Sequence, residues 1–131
     1  HDIGKIGISE NILNKPGKLS NSEYSIIKTH PETGEKILKY IDMFTPYIPI
    51  VRNHHERYDG TGYPDGLTGD RIPLLVRIVT LVDAFDAMTS DRAYRKSLSL
   101  DTALLEIVQN KNKQFDPELV EVFINSKFYE K

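Results

Sequence analysis

The amino-acid sequence predicts an all-α fold. No segment shows the strict alternation of apolar and polar residues that a half-buried strand requires, and no repeat or low-complexity segment is visible. Patterns that start helices recur along the chain, and apolar residues at helical spacing follow them. The chain has 131 residues, which is the length of one compact domain. We therefore expect a bundle of helices in which residues 1–131 form a single domain.

The N-terminal part is predicted to hold a broken helical segment and then a well-marked helix. Gly4 and Gly7 would end any helix in residues 1–8. Ser20 and Glu23 form an S-x-x-E capping box, in which each side chain accepts a hydrogen bond from the other residue's backbone N–H. A helix is therefore expected to begin at Ser20.

The next two helices are predicted around a proline and around a pair of adjacent histidines. Pro31 has no backbone N–H and disfavours a helical conformation in the residue before it, so it should kink or restart the helix at His30. Residues 32–41 are expected to continue this helix. Residues 46–58 are expected to contain a short helix that carries the histidine pair.

A long loop and the most apolar helix are predicted next. Residues 59–73 are rich in glycine, and loops of this length are usually functional or disordered. Residues 74–90 are apolar on nearly every side, which predicts the buried central helix of the bundle.

Two further helices are predicted at the C-terminal end. Ser99 is a suitable N-cap for a helix over residues 100–109. Asp116 followed by proline is typical of an N-cap and a first helical position, so the last helix should run from there to about Ser126.

Composition excludes several classes of function. The net charge of −2 provides no basic field for a polymeric nucleic acid, so an anionic ligand would need a local cluster or metal ions. No apolar run approaches the roughly 20 residues of a membrane span, and we expect no membrane contact by this segment. The chain has no cysteine, which excludes disulfides and thiolate metal sites and fits a cytoplasmic location.

Histidines and carboxylates are the candidate chemical groups. The chain has four histidines, and all of them lie in its N-terminal half: His1, His30, His54 and His55. Imidazole and carboxylate are ligands that iron, manganese and zinc accept. Asp83 lies inside the most apolar helix, where a buried carboxylate is normally paired or bound to metal. Asp86 follows three residues later, near the same face. Periodicity leaves open the alternative that both face solvent, where they would cap the helix or pair with Arg92.

Four segments resemble, in order and spacing, the motifs of the HD-GYP family, a branch of the HD metal-dependent phosphohydrolases. They are "HDIGKIGI", "HPETGEKIL", "HHERYDGTGYP" and "DAFDAMTSDRAYRK". The resemblance extends from His1 to about residue 120. It implies an HD-type helical bundle with a long glycine-rich GYP loop.

The resemblance also implies a metal centre. It holds two divalent metals, or three, with iron or manganese favoured. The implied ligands are His1, Asp2, His30, His54, His55 and Asp83. Asp2 would bridge two metals and act in catalysis together with Lys5. Asp86 would orient Lys5 or another group beside the metals.

The resemblance further implies a substrate and a reaction. Cyclic di-GMP would be hydrolysed to pGpG, GMP or both by a metal-bound hydroxide. The implied substrate-binding residues are Gly62, Tyr63, Pro64, Arg92 and Arg95. A structural alternative stays open, in which Tyr63 and Pro64 brace the loop and the two arginines pair with Asp86 or Asp91.

Two other functions stay open at this stage. One is a catalytically inactive HD-GYP module that binds a nucleotide or a partner, and the other is an HD phosphohydrolase of different nucleotide specificity. The family's first metal-ligating histidine lies upstream of the His-Asp pair, so we expect this chain to be truncated at its N-terminus. The resemblance also implies an upstream regulatory domain, and contact with a diguanylate cyclase or with a second copy of the domain.

Overall fold

The computed structural model describes residues 1–91, 96–127 and 129. Within these residues it contains α-helices and short 3₁₀ helices and no β-strand, apart from one isolated bridge between Lys111 and Phe115. The α-helices are α1 (Glu10–Leu13), α2 (Asn21–Ile27), α3 (His30–Leu38), α4 (Ile48–Asn53), α5 (Leu74–Thr89), α6 (Leu100–Gln109) and α7 (Pro117–Ser126). The 3₁₀ helices are Ile3–Gly7, Asp42–Tyr47 and Gly69–Arg71. The predicted all-α fold is confirmed.

The predicted helix starts are confirmed in detail. The Ser20 hydroxyl accepts a hydrogen bond from the backbone N–H of Glu23 at 3.2 Å, and the Glu23 carboxylate accepts one from the Ser20 N–H at 2.7 Å. Ser99 caps α6 through its side chain. Asp116 caps α7, with Pro117 at the first helical position. Local hydrogen-bonding chemistry therefore sets these boundaries.

The helices around Pro31 end earlier than the sequence suggests. As predicted, the chain restarts a helix at His30, with Pro31 in the first turn of α3. The helix stops at Leu38 and not at residue 41, and a 3₁₀ helix over Asp42–Tyr47 follows. The short helix expected in residues 46–58 is α4, and it ends at Asn53, directly before the histidine pair.

Glycine allows the N-terminal segment to lie directly on α3. A Cβ atom at Gly4 would lie 1.9 Å from the carbonyl oxygen of His30 and 2.5 Å from the backbone nitrogen of Gly34, so no larger residue fits there. This close approach places the 3₁₀ helix Ile3–Gly7 against α3. It brings Asp2, which precedes that helix, beside His30.

The main apolar core lies between α5, α6 and α7. Its buried members are Leu81, Ile107, Phe115, Val120 and Phe123. The prediction that α5 is buried on nearly every side is wrong for one face. Val76 and Leu81 are buried, but Leu74 and Leu75 are 53% and 55% exposed. The described neighbours of α5 pack on its other side, and apolarity alone does not tell which sides a neighbour covers.

None of the helices in residues 1–91, 96–127 and 129 combines the length and the apolar character that crossing a membrane would need.

Candidate metal centre

Four of the six predicted metal ligands form one compact cluster. The ligand atoms of Asp2, His30, His54 and His55 all lie within 4.8 Å of one another. His30 and His54 are buried, with 0% and 4% of their surface exposed. These residues come from the N-terminal segment, the start of α3 and the end of α4, so the fold and not chain proximity brings them together.

Backbone carbonyls orient the two buried imidazoles. The Nδ1 atom of His30 lies 2.7 Å from the carbonyl oxygen of Ile27, and Nδ1 of His54 lies 3.0 Å from that of Val51. Each ring can therefore donate its Nδ1 hydrogen to a carbonyl, which leaves the Nε2 lone pair facing the cluster. This arrangement is typical of metal-bound histidine.

The two Nε2 atoms of these rings face each other. They lie 3.2 Å apart, and Oδ1 of Asp2 lies 3.3 Å from Nε2 of His30 and 3.6 Å from Nε2 of His54. In the tautomer that the carbonyls favour, the two nitrogens are both acceptors and would repel each other. A cation between them and the carboxylate removes this repulsion, so the donor set fits a divalent metal.

The two carboxylate oxygens of Asp2 face different groups. Oδ1 faces the buried imidazoles, whereas Oδ2 accepts a hydrogen bond from Lys5 Nζ at 2.6 Å and lies 3.8 Å from His1 Nε2. In the metal-free protein, the hydrogen bonds that His30 and then His54 donate when Nε2 carries a proton hold the pKa of the Asp2 carboxyl far below its usual range, and Lys5 adds to this effect. The carboxylate stays ionised, as a metal ligand must be.

His1 and Asp83 lie beside this cluster and contact each other. His1 Nε2 is 3.6 Å from Asp83 Oδ1, and the His1 ring centroid is 4.7 Å from that of His54. Neither residue belongs to the group of ligand atoms within 4.8 Å. The Asp83 side chain is 39% exposed, which lies between the buried and the solvent-facing carboxylate that the sequence left open as alternatives. The assignment of His1 and Asp83 as ligands stays a prediction.

The end of α4 lets both neighbouring histidines face the cluster. His54 is the C-cap of α4, and the ring centroids of His54 and His55 lie 4.2 Å apart. Burial lowers the pKa of His55 to about 3, and repulsion from His54 and His30 contributes to the shift. The imidazole is therefore neutral at pH 7, which is the form that binds metal.

A buried carboxylate organises the loop that follows. Glu56 is 1% exposed and accepts hydrogen bonds from three consecutive backbone N–H groups. These groups belong to Asp65, Gly66 and Leu67, at 2.7, 3.1 and 3.0 Å. Sequence reasoning missed this role, although the charged residue directly after two candidate ligands was the available signal. Glu56 fixes the loop against the end of α4.

The GYP residues of this loop pack against His55. A Cβ atom at Gly62 would lie 2.4 Å from the backbone nitrogen of Arg57, so the loop approaches as closely as glycine allows. The Tyr63 N–H donates to the His55 carbonyl at 3.2 Å, and the Tyr63 ring stacks on the His55 ring at 4.8 Å between centroids. Pro64 follows Tyr63 through a cis peptide bond. Tyr63 thus lies beside the cluster that Asp2 forms with the histidines.

A cavity of about 440 Å³ opens over the cluster. Its walls include cluster histidines, loop residues and residues of α2 and α5. They comprise Lys5, Tyr24, Ile27, His30, His54, His55, Glu56, Arg57, Thr61, Tyr63, Thr80, Asp83, Ala84 and Gln114. Thr80 also donates a hydrogen bond to the His54 carbonyl at 3.0 Å. No sequence motif indicated Tyr24, Thr80 or Gln114 as site residues.

Three predicted site residues remain: Asp86, and two that lie outside the residues the structure describes. Asp86 is exposed and accepts a hydrogen bond from Ser90 at 3.2 Å, whereas Lys5 pairs with Asp2. Arg92 and Arg95 lie outside the described residues. The roles assigned to these three residues stay predictions.

Comparison with known proteins gives a family and a fold. A protein-family model described as "HD domain" matches residues 1–119. The chain is 41% identical over 132 residues to the cyclic di-GMP phosphodiesterase response regulator RpfG of Xanthomonas campestris, covering 97% of this chain and 34% of the relative. It is 43% identical to the 3'3'-cGAMP-specific phosphodiesterase 3 of Vibrio cholerae, covering 90% of this chain and 26% of the relative. The chain therefore spans about a third or less of the length of these relatives.

A solved structure has the same fold. It is a cyclic GMP-AMP-specific phosphodiesterase of Vibrio cholerae, with a TM-score of 0.63 and 24% sequence identity over 86% of this chain and 30% of that chain. This likeness confirms the HD-type helical fold, and the relatives confirm the resemblance to the HD-GYP proteins. With its His-Asp cluster and a family match over most of its length, the chain belongs to the HD domain family.

Proposed function

We propose that this domain is a metal-dependent phosphodiesterase that hydrolyses a cyclic dinucleotide, with cyclic di-GMP as the preferred substrate. The observation that carries the proposal is the convergence of Asp2, His30, His54 and His55 at the base of an open cavity. Three imidazoles and a carboxylate form a donor set for a divalent metal, and the cavity above them gives access to a ligand.

The proposed roles of the ligands follow from their positions. His30, His54 and His55 would hold metal through neutral imidazoles, and the two oxygens of Asp2 face separate groups, as a bridge between two metals requires. His1 and Asp83, which contact each other beside the cluster, would supply further ligands, with Asp83 closing the shell of the first metal. Bound metals would supply Lewis acid chemistry for a phosphate and lower the pKa of a coordinated water. Their number, and the preference for iron or manganese, stay predictions.

The remaining residues would bind and orient the substrate. Lys5 lines the cavity and holds Asp2, so its ammonium can stabilise charge that develops on phosphoryl oxygens. Tyr63 presents an aromatic ring beside the cluster. Arg92 and Arg95 are proposed to hold the second phosphate, because a guanidinium group binds phosphate through two hydrogen bonds.

The second candidate substrate is 3'3'-cGAMP, which should be compared directly with cyclic di-GMP. One relative is named as specific for 3'3'-cGAMP and is 43% identical, against 41% and 44% for two relatives named for cyclic di-GMP. Both substrates share a ring of two phosphodiesters, and they differ only in one purine base. The catalytic cluster would therefore serve either, and residues around the bases would decide between them.

The setting of the domain is also a proposal. Because the relatives are about three to four times as long as this chain, we infer that it works next to a regulatory domain in the cytoplasm. Contact with a diguanylate cyclase or a second copy stays a prediction.

The test uses the full-length protein with its metal bound. Cyclic di-GMP, 3'3'-cGAMP and a simple nucleotide monoester are offered separately, and the products are separated by chromatography. We expect cyclic di-GMP to give pGpG, GMP or both, and the Asp2→Ala variant to give neither. Binding of cyclic di-GMP without turnover would identify an inactive module. Preferential hydrolysis of the monoester would identify a phosphohydrolase of other specificity.

A further inference from the structure

We propose that Tyr24, Lys28 and Tyr63 form a subsite that binds a guanine base of the substrate. This inference deepens the proposed function and rests on it. Tyr24 lies in α2, Lys28 directly follows that helix, and Tyr63 belongs to the glycine-rich loop. Two distant parts of the chain thus meet here: Tyr24 and Tyr63 line the cavity, and Lys28 lies over both rings.

The contacts between these residues are specific. Lys28 Nζ lies 5.3 Å from the centroid of the Tyr24 ring and 5.7 Å from that of the Tyr63 ring. Burial raises the pKa of the Tyr63 hydroxyl, and the neighbouring Tyr24 side chain raises it further. One ammonium group therefore lies within cation–π distance of two rings that line the cavity.

The rings differ in how much surface they leave open. One face of Tyr63 is stacked on His55, with an angle of 20° between the rings. Tyr24 is 48% exposed and lines the cavity. An incoming base would therefore stack on Tyr24, whereas Tyr63 would hold Tyr24 and Lys28 in position. Stacking on an aromatic ring favours any base, because every base has a π-face.

Lys28 would make the subsite selective for guanine. An ammonium group donates hydrogen bonds and accepts none. Guanine presents two neighbouring acceptors, O6 and N7, whereas adenine presents N7 beside an amino donor. The same position therefore favours guanine over adenine, and the chain should bind cyclic di-GMP more tightly than cyclic di-AMP.

The chain contains a matched pair outside the cavity. Lys39 Nζ lies 4.9 Å from the centroid of the Tyr40 ring, and Tyr40 is 80% exposed. Neither residue lines the cavity over the cluster. Substitutions in this pair remove the same chemical groups without touching the proposed subsite.

The experiment measures binding of the phosphorothioate analogues of cyclic di-GMP and cyclic di-AMP to the full-length, metal-loaded protein by calorimetry. We expect Tyr24→Leu to weaken binding of both analogues by about tenfold, within the usual range for loss of base stacking. Tyr24→Phe keeps the ring and should stay within about threefold of the unchanged protein. Lys28→Met should reduce the preference for the guanine analogue by about fivefold or more. Tyr40→Leu and Lys39→Met should change neither quantity.

Measurement of KM and kcat separately provides a second test of the subsite. With natural cyclic di-GMP, Tyr24→Leu and Lys28→Met should raise KM while metal content stays constant. Unchanged affinity in Tyr24→Leu together with an unchanged guanine preference in Lys28→Met would contradict the proposed subsite. The proposed phosphodiesterase function would not be affected by this result. Failure of the unchanged protein to bind either analogue would overturn the proposed function as well.

Discussion

The Nε2 atoms of His30 and His54 lie 3.2 Å apart, while the Nδ1 atoms of both rings face backbone carbonyls. When each Nδ1 donates its hydrogen to a carbonyl, the lone pairs of the two Nε2 atoms point toward each other. A protein interior rarely holds two acceptors together unless a proton or a metal lies between them. The relationship explains why both rings are buried and why an ionised carboxylate lies beside them.

Removal of the Asp2 carboxylate should abolish metal retention and activity together. Asp2 is the negative group of the cluster, and its two oxygens face separate ligands. We expect Asp2→Ala to lose bound metal, measured by elemental analysis after gel filtration, and to lose cyclic di-GMP turnover. Asp42→Asn is the control, because Asp42 is exposed and does not line the cavity over the cluster. Full metal content in Asp2→Ala would contradict the proposed bridging role.

The metal-free protein should lose stability below about pH 6.5 because of His55. Burial lowers the pKa of His55 from 6.5 to about 3, so in this interval the unfolded chain binds more protons at this residue than the folded chain. The free energy of unfolding therefore falls as the pH falls, by up to about 1.4 kcal/mol per pH unit from this group.

Urea unfolding at several pH values, in the presence of a chelator, measures this effect. His55→Gln removes the titrating group, so its stability should depend less steeply on pH between 6.5 and 4 than that of the unchanged protein. Equal slopes for the two proteins would show that His55 is not protected from protonation.

Substitution of Gly4 should disturb the metal centre through the backbone. A Cβ at this position would overlap the carbonyl of His30 at 1.9 Å, so the N-terminal segment must move away from α3. We expect Gly4→Ala to destabilise the protein by about 2–4 kcal/mol and to weaken metal binding. Gly7→Ala is the matched control, because its Cβ would meet only the Thr33 side chain at 3.3 Å. Wild-type metal affinity in Gly4→Ala would show that Asp2 does not depend on this contact.

Neutralisation of Glu56 should loosen the glycine-rich loop. Its carboxylate accepts three backbone N–H groups, and a glutamine would direct an amide donor at some of them. We expect Glu56→Gln to lower stability by about 2–4 kcal/mol and to raise KM, with bound metal largely retained. Amide hydrogen exchange should show faster exchange at residues 65–67. The exposed Glu10→Gln should show none of these changes.

The sequence predicted those features that depend on near neighbours along the chain. The capping box at Ser20 and the restart at Pro31 involve residues one to three positions apart, so their chemistry is visible in the sequence. The types of metal ligand were visible for a different reason, because their motifs match those of a known family. Neither kind of signal required knowledge of tertiary packing.

The remaining features depend on contacts between distant segments. The three hydrogen bonds of Glu56 go to residues nine to eleven positions later, and its position directly after two candidate ligands does not show which N–H groups it binds. Likewise, the open face of α5 depends on which elements pack against it. Lys28 lies over a tyrosine of the helix that it follows and over another in the loop, and only the fold brings the second one near.

The metal-binding groups come from segments that are widely separated in the chain, from Asp2 to His55 within the cluster. An unfolded chain cannot present them together, so binding energy and folding energy are thermodynamically linked. A chelator should therefore act as a denaturant for this domain, lowering its thermal midpoint. Conversely, any substitution that weakens the fold should reduce occupancy of the centre even when it lies far from the imidazoles.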